Sequence, residues 1–242
     1  RRLRVLVPTF RADVEREVDL IEEVAIVQGY ESIPMTIPGK LTRSGRLTPR
    51  QRLERRVREV MRECGLSEMI SFSQMDPADL DRLGLPEDAP ERRALRLANP
   101  MTTDASLMRT TLLPAMLGAC TANQNQGVED VTLFEINPVY VPTDNAELPE
   151  EPKHVAGVLM GNPYTAEWNV PETSLDFFWV KGIVEQLGAV LGLEFAWRRA
   201  MHPTFHPGQC AEVLLGDEVL GLVGQVAPVV AEAFDLRRDV FA

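Results

Sequence analysis

Apolar residues near the start of the chain follow a helical spacing. Leu20, Ile21, Val24 and Val27 recur at intervals that place them on one face of an α-helix. Gly29 follows them, and glycine commonly ends a helix because it adopts the left-handed backbone conformation easily. The pattern predicts a helix that ends at Gly29 and carries a buried apolar stripe.

A second helix is predicted by its capping residues. Thr48 is a good N-cap, Pro49 suits the first turn, and Gln51 completes a capping box. The apolar face that follows consists of Leu53, Val57, Val60, Met61 and Cys64. We expect Gly65 to end this helix and residues 69–72 to form the next strand.

Strand-like and helix-like runs alternate along the rest of the chain. The expected strands cover residues 94–98, 131–136, 154–160, 212–215 and 219–226, and the expected helices cover 106–123, 175–191 and 228–234. Pro114 lies inside the first of these helices and is expected to split it. Asp217 and Glu218 lie between two apolar runs and predict a hairpin tip. The mixture predicts an α+β fold in which helices flank an antiparallel sheet.

Proline and glycine divide the chain into unequal parts. Residues 1–38 contain a short expected strand at 3–7 and the first helix. Residues 39–47 lie in a stretch with few apolar residues and are expected to form a linker. Residues 48–242 are then expected to form one domain, which is long enough to bury a sizeable core.

Composition narrows the class of protein. The chain has 242 residues and a formal net charge of −11, and 45% of its residues are hydrophobic, a share typical of globular proteins. The negative net charge opposes non-specific nucleic-acid binding, which requires Lys and Arg to neutralise phosphates.

The chain has three cysteines that lie far apart, Cys64, Cys120 and Cys210. Because the number is odd and no two are close in sequence, we expect reduced thiols in a cytoplasmic protein. No apolar run approaches the ~20 residues of a membrane-spanning helix.

Carboxylates crowd around the first predicted helix, at Asp13, Glu15, Glu17, Asp19, Glu22 and Glu23. Residues 19, 22 and 23 share one flank of a helix, and Asp13 can fold back onto the same flank. A cluster of like charges favours a bound cation, and ligands that are all oxygen suit Mg²⁺ or Ca²⁺. The same residues also suit a solvated acidic face that complements the helix dipole. Spacing alone leaves both interpretations open.

Short motifs in a fixed order resemble one family. They are Val7-Pro8-Thr9-Phe10-Arg11 with Asp13, Glu17-Val18-Asp19-Leu20-Ile21-Glu22-Glu23-Val24-Ala25, Gly29-Tyr30, Asn99-Pro100, Leu107-Met108-Arg109-Thr110-Thr111-Leu112-Leu113-Pro114, Leu133-Phe134-Glu135-Ile136, Asp176-Phe177-Phe178, Lys181-Gly182, His206-Pro207-Gly208 and Gly221-Leu222-Val223-Gly224. Together they span nearly the whole chain and resemble the phenylalanyl-tRNA synthetase beta subunit. The chain departs from the family pattern at Ile26, Gln126, Asn137-Pro138 and Ala227-Pro228.

The resemblance implies a role and its partners. The chain would be a fragment that holds the end of a small module and a core like that of class II synthetases. In the family the alpha subunit uses ATP to charge tRNA(Phe) with phenylalanine, within a heterotetramer of two alpha and two beta subunits, and the beta core is not catalytic. The helix at residues 48–64 and the strand after it would lie in a subunit interface, so we expect the isolated fragment to self-associate.

The resemblance also implies that the chain has a Mg²⁺ site but lacks the arginines that bind ATP. The family associates Mg²⁺ with the positions of Asp13, Asp19, Glu22 and Glu23, and the alpha subunit would complete that site. Catalytic class II domains hold ATP with an arginine on one strand and another at the start of the last helix. The matching runs here, residues 132–136 and 225–230, contain no arginine. We therefore expect the fragment alone to be inactive, with no catalytic residues.

The residues themselves suggest other functions. His202, His206 and Cys210 are four residues apart, but prolines follow both histidines and disfavour the helix that a zinc site would need. A free-standing interaction module derived from a synthetase is one alternative. A magnesium-dependent phosphoryl-transfer or hydrolytic enzyme that uses the acidic residues is another.

Overall fold

The computed structural model describes residues 3–36, 45–144, 148–163, 168–169 and 173–242. The chain divides into two compact units, Arg1–Arg46 and Leu47–Ala242, and each is described by itself. Among the described residues, no helix is both long and apolar enough to cross a membrane.

The first unit contains one α-helix, α1 (Glu17–Gln28), which stops at Gly29 where the backbone has a φ of 86°. The predicted buried stripe is wrong, because α1 has no buried residue and Ile21 and Val24 are 61% and 68% exposed. Residues 3–7, expected to be a strand, have no regular secondary structure. A strand requires a paired neighbour and an apolar helical face requires a packed layer, and the described residues of this unit supply neither.

The second unit contains five α-helices and nine β-strands in its described residues. The helices are α2 (Pro49–Glu63), α3 (Ala78–Arg82), α4 (Leu113–Asn125), α5 (Phe177–Leu191) and α6 (Pro228–Ala233). The strands are β1 (Ser67–Glu68), β2 (Gln74–Met75), β3 (Leu107–Met108), β4 (Val131–Pro138), β5 (Lys153–Met160), β6 (Ala196–Arg199), β7 (Phe205–Leu215), β8 (Glu218–Val226) and β9 (Val240–Phe241). Seven strands form one sheet in the order β1-β4-β5-β9-β8-β7-β6, while β2 and β3 pair separately.

The α+β prediction is confirmed, but the sheet is mixed. Strand β1 runs parallel to β4, with Ser67 opposite Leu133, whereas the other neighbours in the large sheet are antiparallel. Two parallel neighbours need a long crossover, and the chain between β1 and β4 supplies one through α3 and α4. Sequence patterns carry no direct sign of strand direction, which is why this pairing was missed.

Helices cover both faces of the sheet. Val158 and Met160 of β5 lie in a core with α3, α4 and α6, and Leu159 lies in a second core with α2 and α5. Alternate residues of a strand point to opposite faces, so the two cores occupy opposite sides of the sheet. The apolar face of α2 is used within this unit, where Val60 and Met61 are 0% and 6% exposed.

The boundaries of two helices test the capping arguments. Thr48 accepts a hydrogen bond from the Gln51 backbone N–H while the Gln51 side chain accepts one from Thr48, so the predicted capping box of α2 is confirmed. The helix expected at 106–123 is wrong at its start, since Leu107–Met108 is strand β3 and α4 begins at Leu113. Pro114 therefore lies in the first turn of α4, where its missing N–H has no helical partner to lose, and does not split the helix.

Candidate functional site

The four predicted metal ligands lie around α1, where Asp13 and Glu23 share one partner and Asp19 has others. Arg11 donates hydrogen bonds to Asp13, at 2.7 Å from Nη2 to Oδ2, and to Glu23. The Asp19 carboxylate accepts the backbone N–H groups of Glu15 and Arg16, at 2.9 and 2.6 Å. The fourth, Glu22, is exposed. Arg11 therefore supplies a positive charge within this cluster.

The electrostatics of the cluster follow from Arg11. Hydrogen bonds from its guanidinium lower the pKa of Asp13 and the pKa of Glu23, and the same contacts raise the pKa of Arg11. Both carboxylates are thus held ionised, the state that a metal ligand needs. Within the ranges that the structure describes, no group of three or more His, Cys, Asp or Glu residues is arranged to hold a metal ion. The Mg²⁺ site at residues 13, 19, 22 and 23 stays a prediction.

The two histidines among the candidate zinc ligands accept hydrogen bonds from backbone N–H groups two residues further along the chain. His202 Nδ1 accepts the Thr204 backbone N–H at 3.3 Å, and His206 Nδ1 accepts that of Gly208 at 3.1 Å. Cys210 is buried, and burial raises the pKa of its thiol. The backbone contacts explain the orientation of both imidazoles without a metal.

The second unit contains a buried ion pair that joins three segments. Arg109, which follows β3, is 2% exposed, and its Nη1 lies 3.2 Å from Oε1 of Glu135 on β4. Nη1 also donates to Ser71 Oγ at 2.9 Å, and Nε donates to the Pro138 carbonyl at 2.9 Å. The Glu135 carboxylate accepts from the Ser71 backbone N–H at 3.0 Å and from Asn137 at 2.8 Å. The network fixes residues 69–73 against β4.

Opposing effects act on Glu135. Burial by itself raises the pKa of Glu135, but hydrogen bonds from Asn137 and Ser71, together with the charge of Arg109, outweigh it and hold the pKa below its ordinary value. The carboxylate is therefore ionised in the fold. Arg109 Nη2 is buried without a hydrogen-bond partner among the described residues, so one nitrogen of the guanidinium makes no hydrogen bond there.

The motif that contains Arg109 did not reveal its partner, because Glu135 lies 26 residues further along the chain. The signal for the true partner was Glu135 itself, a carboxylate between Phe134 and Ile136 in an apolar strand run. A buried acid in such a run requires a cation.

Comparison with known proteins assigns the family. A family model described as the phenylalanyl tRNA synthetase beta chain CLM domain matches residues 33–242, and one described as the tRNA synthetase B5 domain matches residues 1–30. The chain belongs to the phenylalanyl-tRNA synthetase beta chain family. The resemblance inferred from the short motifs is thereby confirmed.

Individual relatives agree along nearly the whole chain. The phenylalanine–tRNA ligase beta subunit of Geobacter metallireducens is 42% identical over 238 residues, which cover 97% of this chain and 30% of the relative. That of Symbiobacterium thermophilum is 41% identical over 99% of this chain and 27% of the relative, and that of Staphylococcus aureus is 37% identical over 98% and 29%. The chain thus spans less than a third of the length of these beta subunits.

The buried ion pair of Arg109 and Glu135 is expected to stabilise the fold of this beta-chain core. Arg109→Met leaves Glu135 charged and unpaired in the interior, so the free energy of unfolding is expected to fall by about 3–5 kcal/mol. Since pairing lowers the pKa of Glu135, the native pair stabilises the fold above the ordinary Glu pKa of about 4.3 and loses this effect as pH falls. The difference from the parent should therefore shrink in acid. Equilibrium urea denaturation at neutral and acidic pH measures both effects.

A surface ion pair provides the matched control. Arg198 donates to Glu212 at 2.6 Å while 61% exposed, and breaking such a pair costs about 0–1 kcal/mol. Arg198→Met should therefore unfold nearly like the parent. If Arg109→Met costs no more than Arg198→Met, the buried pair does not hold the segments together.

Proposed function

We propose that this chain is the non-catalytic core of the beta subunit of phenylalanine–tRNA ligase, which supports the ATP-dependent charging of tRNA(Phe) by an alpha subunit. The observation that carries the proposal is the family match over residues 33–242 together with about 40% identity along nearly the whole chain. The core has a structural role in the assembly of the enzyme, and the alpha subunit catalyses the reaction. With a net charge of −11, this region contributes little general affinity for tRNA, which the intact enzyme supplies.

The absence of catalytic activity in the core is proposed from missing phosphate ligands. The architecture, a largely antiparallel sheet between helices, resembles that of a class II synthetase. The catalytic domains of such enzymes bind the phosphates of ATP through arginines. Phosphate recognition depends on the bidentate geometry of arginine. Strand β4 carries no arginine, and α6 opens with Pro228, Val229 and Val230. Neither element offers a positive charge for the phosphates of a nucleotide.

The subunit interface is proposed at the β1 edge of the sheet. The expected interface comprises the helix at 48–64 and the strand at 69–72. Because the apolar face of α2 packs into its own core, we place the contact on residues 69–72 alone. Just after β1, Ile70 and Phe72 are 84% and 86% exposed, while Ser71 between them binds Glu135. Large apolar side chains exposed beside an edge strand favour contact with another chain. We assign the contact with a neighbouring subunit to this edge.

Substitution of the exposed pair tests the interface. Ile70→Ser with Phe72→Ser should abolish co-purification with the alpha subunit, because the apolar contact area is removed. Folding should be unchanged, since both side chains point to solvent in the chain alone. Size-exclusion chromatography after co-expression measures assembly, and circular dichroism checks folding. The control Val229→Ser removes a 69% exposed apolar side chain from α6 and should assemble normally; equal assembly by both variants would refute this interface.

The Mg²⁺ site is proposed for the assembled enzyme. The oxygen-only donor set of Asp13, Asp19, Glu22 and Glu23 suits Mg²⁺, which commonly binds one or two carboxylates and several waters. In the chain alone Arg11 contacts Asp13 and Glu23, and Asp19 accepts two backbone N–H groups. These carboxylates would therefore exchange partners when the ion binds. The donor chemistry fits the ion, and the ion would neutralise the cluster at the contact with the alpha subunit.

Charge removal tests this site. Asp19→Asn with Glu22→Gln retains size and the oxygen that accepts the backbone N–H groups but removes two charges, so assembly should require a higher Mg²⁺ concentration. The control Glu15→Gln with Glu17→Gln removes two charges from the same segment outside the four ligands. Titration of Mg²⁺ against complex formation measures the effect. Identical titrations for both double variants would make the cluster a solvated acidic face.

A further inference from the structure

Helix α2 carries four charged residues along one side of its exposed surface. Arg52, Arg56, Glu59 and Glu63 recur at intervals of four, three and four residues, so they share one side of the helix. We call this set the charged stripe. All four residues are exposed, because the apolar side of α2 packs into its own core. The charged stripe is therefore open to solvent in the chain alone.

Arg56 and Glu59 form an ion pair inside the charged stripe, but the pair is exposed. Arg56 Nη1 lies 3.2 Å from Glu59 Oε2, and the two side chains are 47% and 55% exposed. Exposed ion pairs contribute little to stability, so this one can be given up for an intermolecular pair. Among the described residues, Arg52 and Glu63 take part in no ion pair. The four charges are thus available to another molecule.

The order of the charges makes the charged stripe complementary to itself. From the start of α2 to its end the stripe runs positive, positive, negative, negative. When two copies of α2 lie antiparallel, the start of one helix faces the end of the other. Arg52 of each copy then faces Glu63 of the other, and Arg56 faces Glu59, so opposite charges meet at every level. A parallel pair in register would place like charges together.

We propose that α2 pairs antiparallel with α2 of a second copy of this chain through the charged stripe. A second copy is the occupant because it supplies each opposite charge in the required order. Nucleic acid is a poorer match, since Glu59 and Glu63 would repel phosphates. The proposal rests on α2 alone and does not depend on the proposed function. The contact is also distinct from the one proposed for the alpha subunit at residues 69–72.

The residues beside the charged stripe set the strength of the contact. Leu53 is 52% exposed and can pack against the aliphatic stem of an arginine from the other copy. Arg55 and Arg62 lie on the other flank, where their like charges oppose association, but they are exposed and screened by salt. Charge pairing of this kind fixes the partner and the register more than it supplies affinity. We therefore expect a weak dimer.

Inversion of half of the charged stripe tests the proposal. One variant, Arg52→Glu with Arg56→Glu, has a wholly negative stripe, and the other, Glu59→Arg with Glu63→Arg, has a wholly positive one. Neither should pair with itself, because like charges would face each other. An equimolar mixture should pair, with a dissociation constant at least about tenfold lower than that of either variant alone. Sedimentation equilibrium at low ionic strength measures these constants.

Inversion of the whole charged stripe provides the matched control. The four substitutions together reverse every charge but keep the stripe complementary to itself, so this variant should self-associate like the parent. Circular dichroism checks that all variants fold, which is expected because the four side chains are exposed. Recovery of association in the mixture supports the proposal. A parent that stays monomeric, or a mixture that associates no more tightly than its two components, would overturn it.

Discussion

The ion pair between Arg109 and Glu135 is the constraint on which the arrangement of the core depends. It is buried, so each charge must be met by specific partners, and these come from segments far apart in sequence. The pairing draws Ser71 inward and holds residues 69–73 along β4. As a consequence Ile70 and Phe72 point outward at the β1 edge. An interior electrostatic requirement thus shapes the surface assigned to the partner subunit.

The core combines a mixed sheet, covered by helices on both faces, with a strand β4 that carries no arginine. Strand β4 is the second strand of the sheet, next to the β1 edge, and residues of β4 lie in both hydrophobic cores. Here the charged residue of that strand, Glu135, faces an arginine from the same chain. Arg109 is thus paired with Glu135 inside the fold, which fits the assembly role that we propose.

Local rules predicted the elements whose signals are contained in a few residues. The capping box at Thr48, the helix that became α5, and strands β4, β5 and β8 follow from caps and apolar periodicity. The parallel pairing of β1 and the partner of Arg109 depend on residues distant in sequence, so periodicity could not reveal them. The exposed stripe of α1 shows the same limit, because burial requires a second apolar layer as well as an apolar face.

The central claim is that this chain organises the enzyme without activating the amino acid. Phenylalanine-dependent exchange of pyrophosphate into ATP measures activation directly, and it can be assayed on the purified chain, on the alpha subunit, and on their complex. The account predicts no exchange by the chain above a heat-denatured control, and exchange by the complex. Exchange by the chain alone would contradict the account.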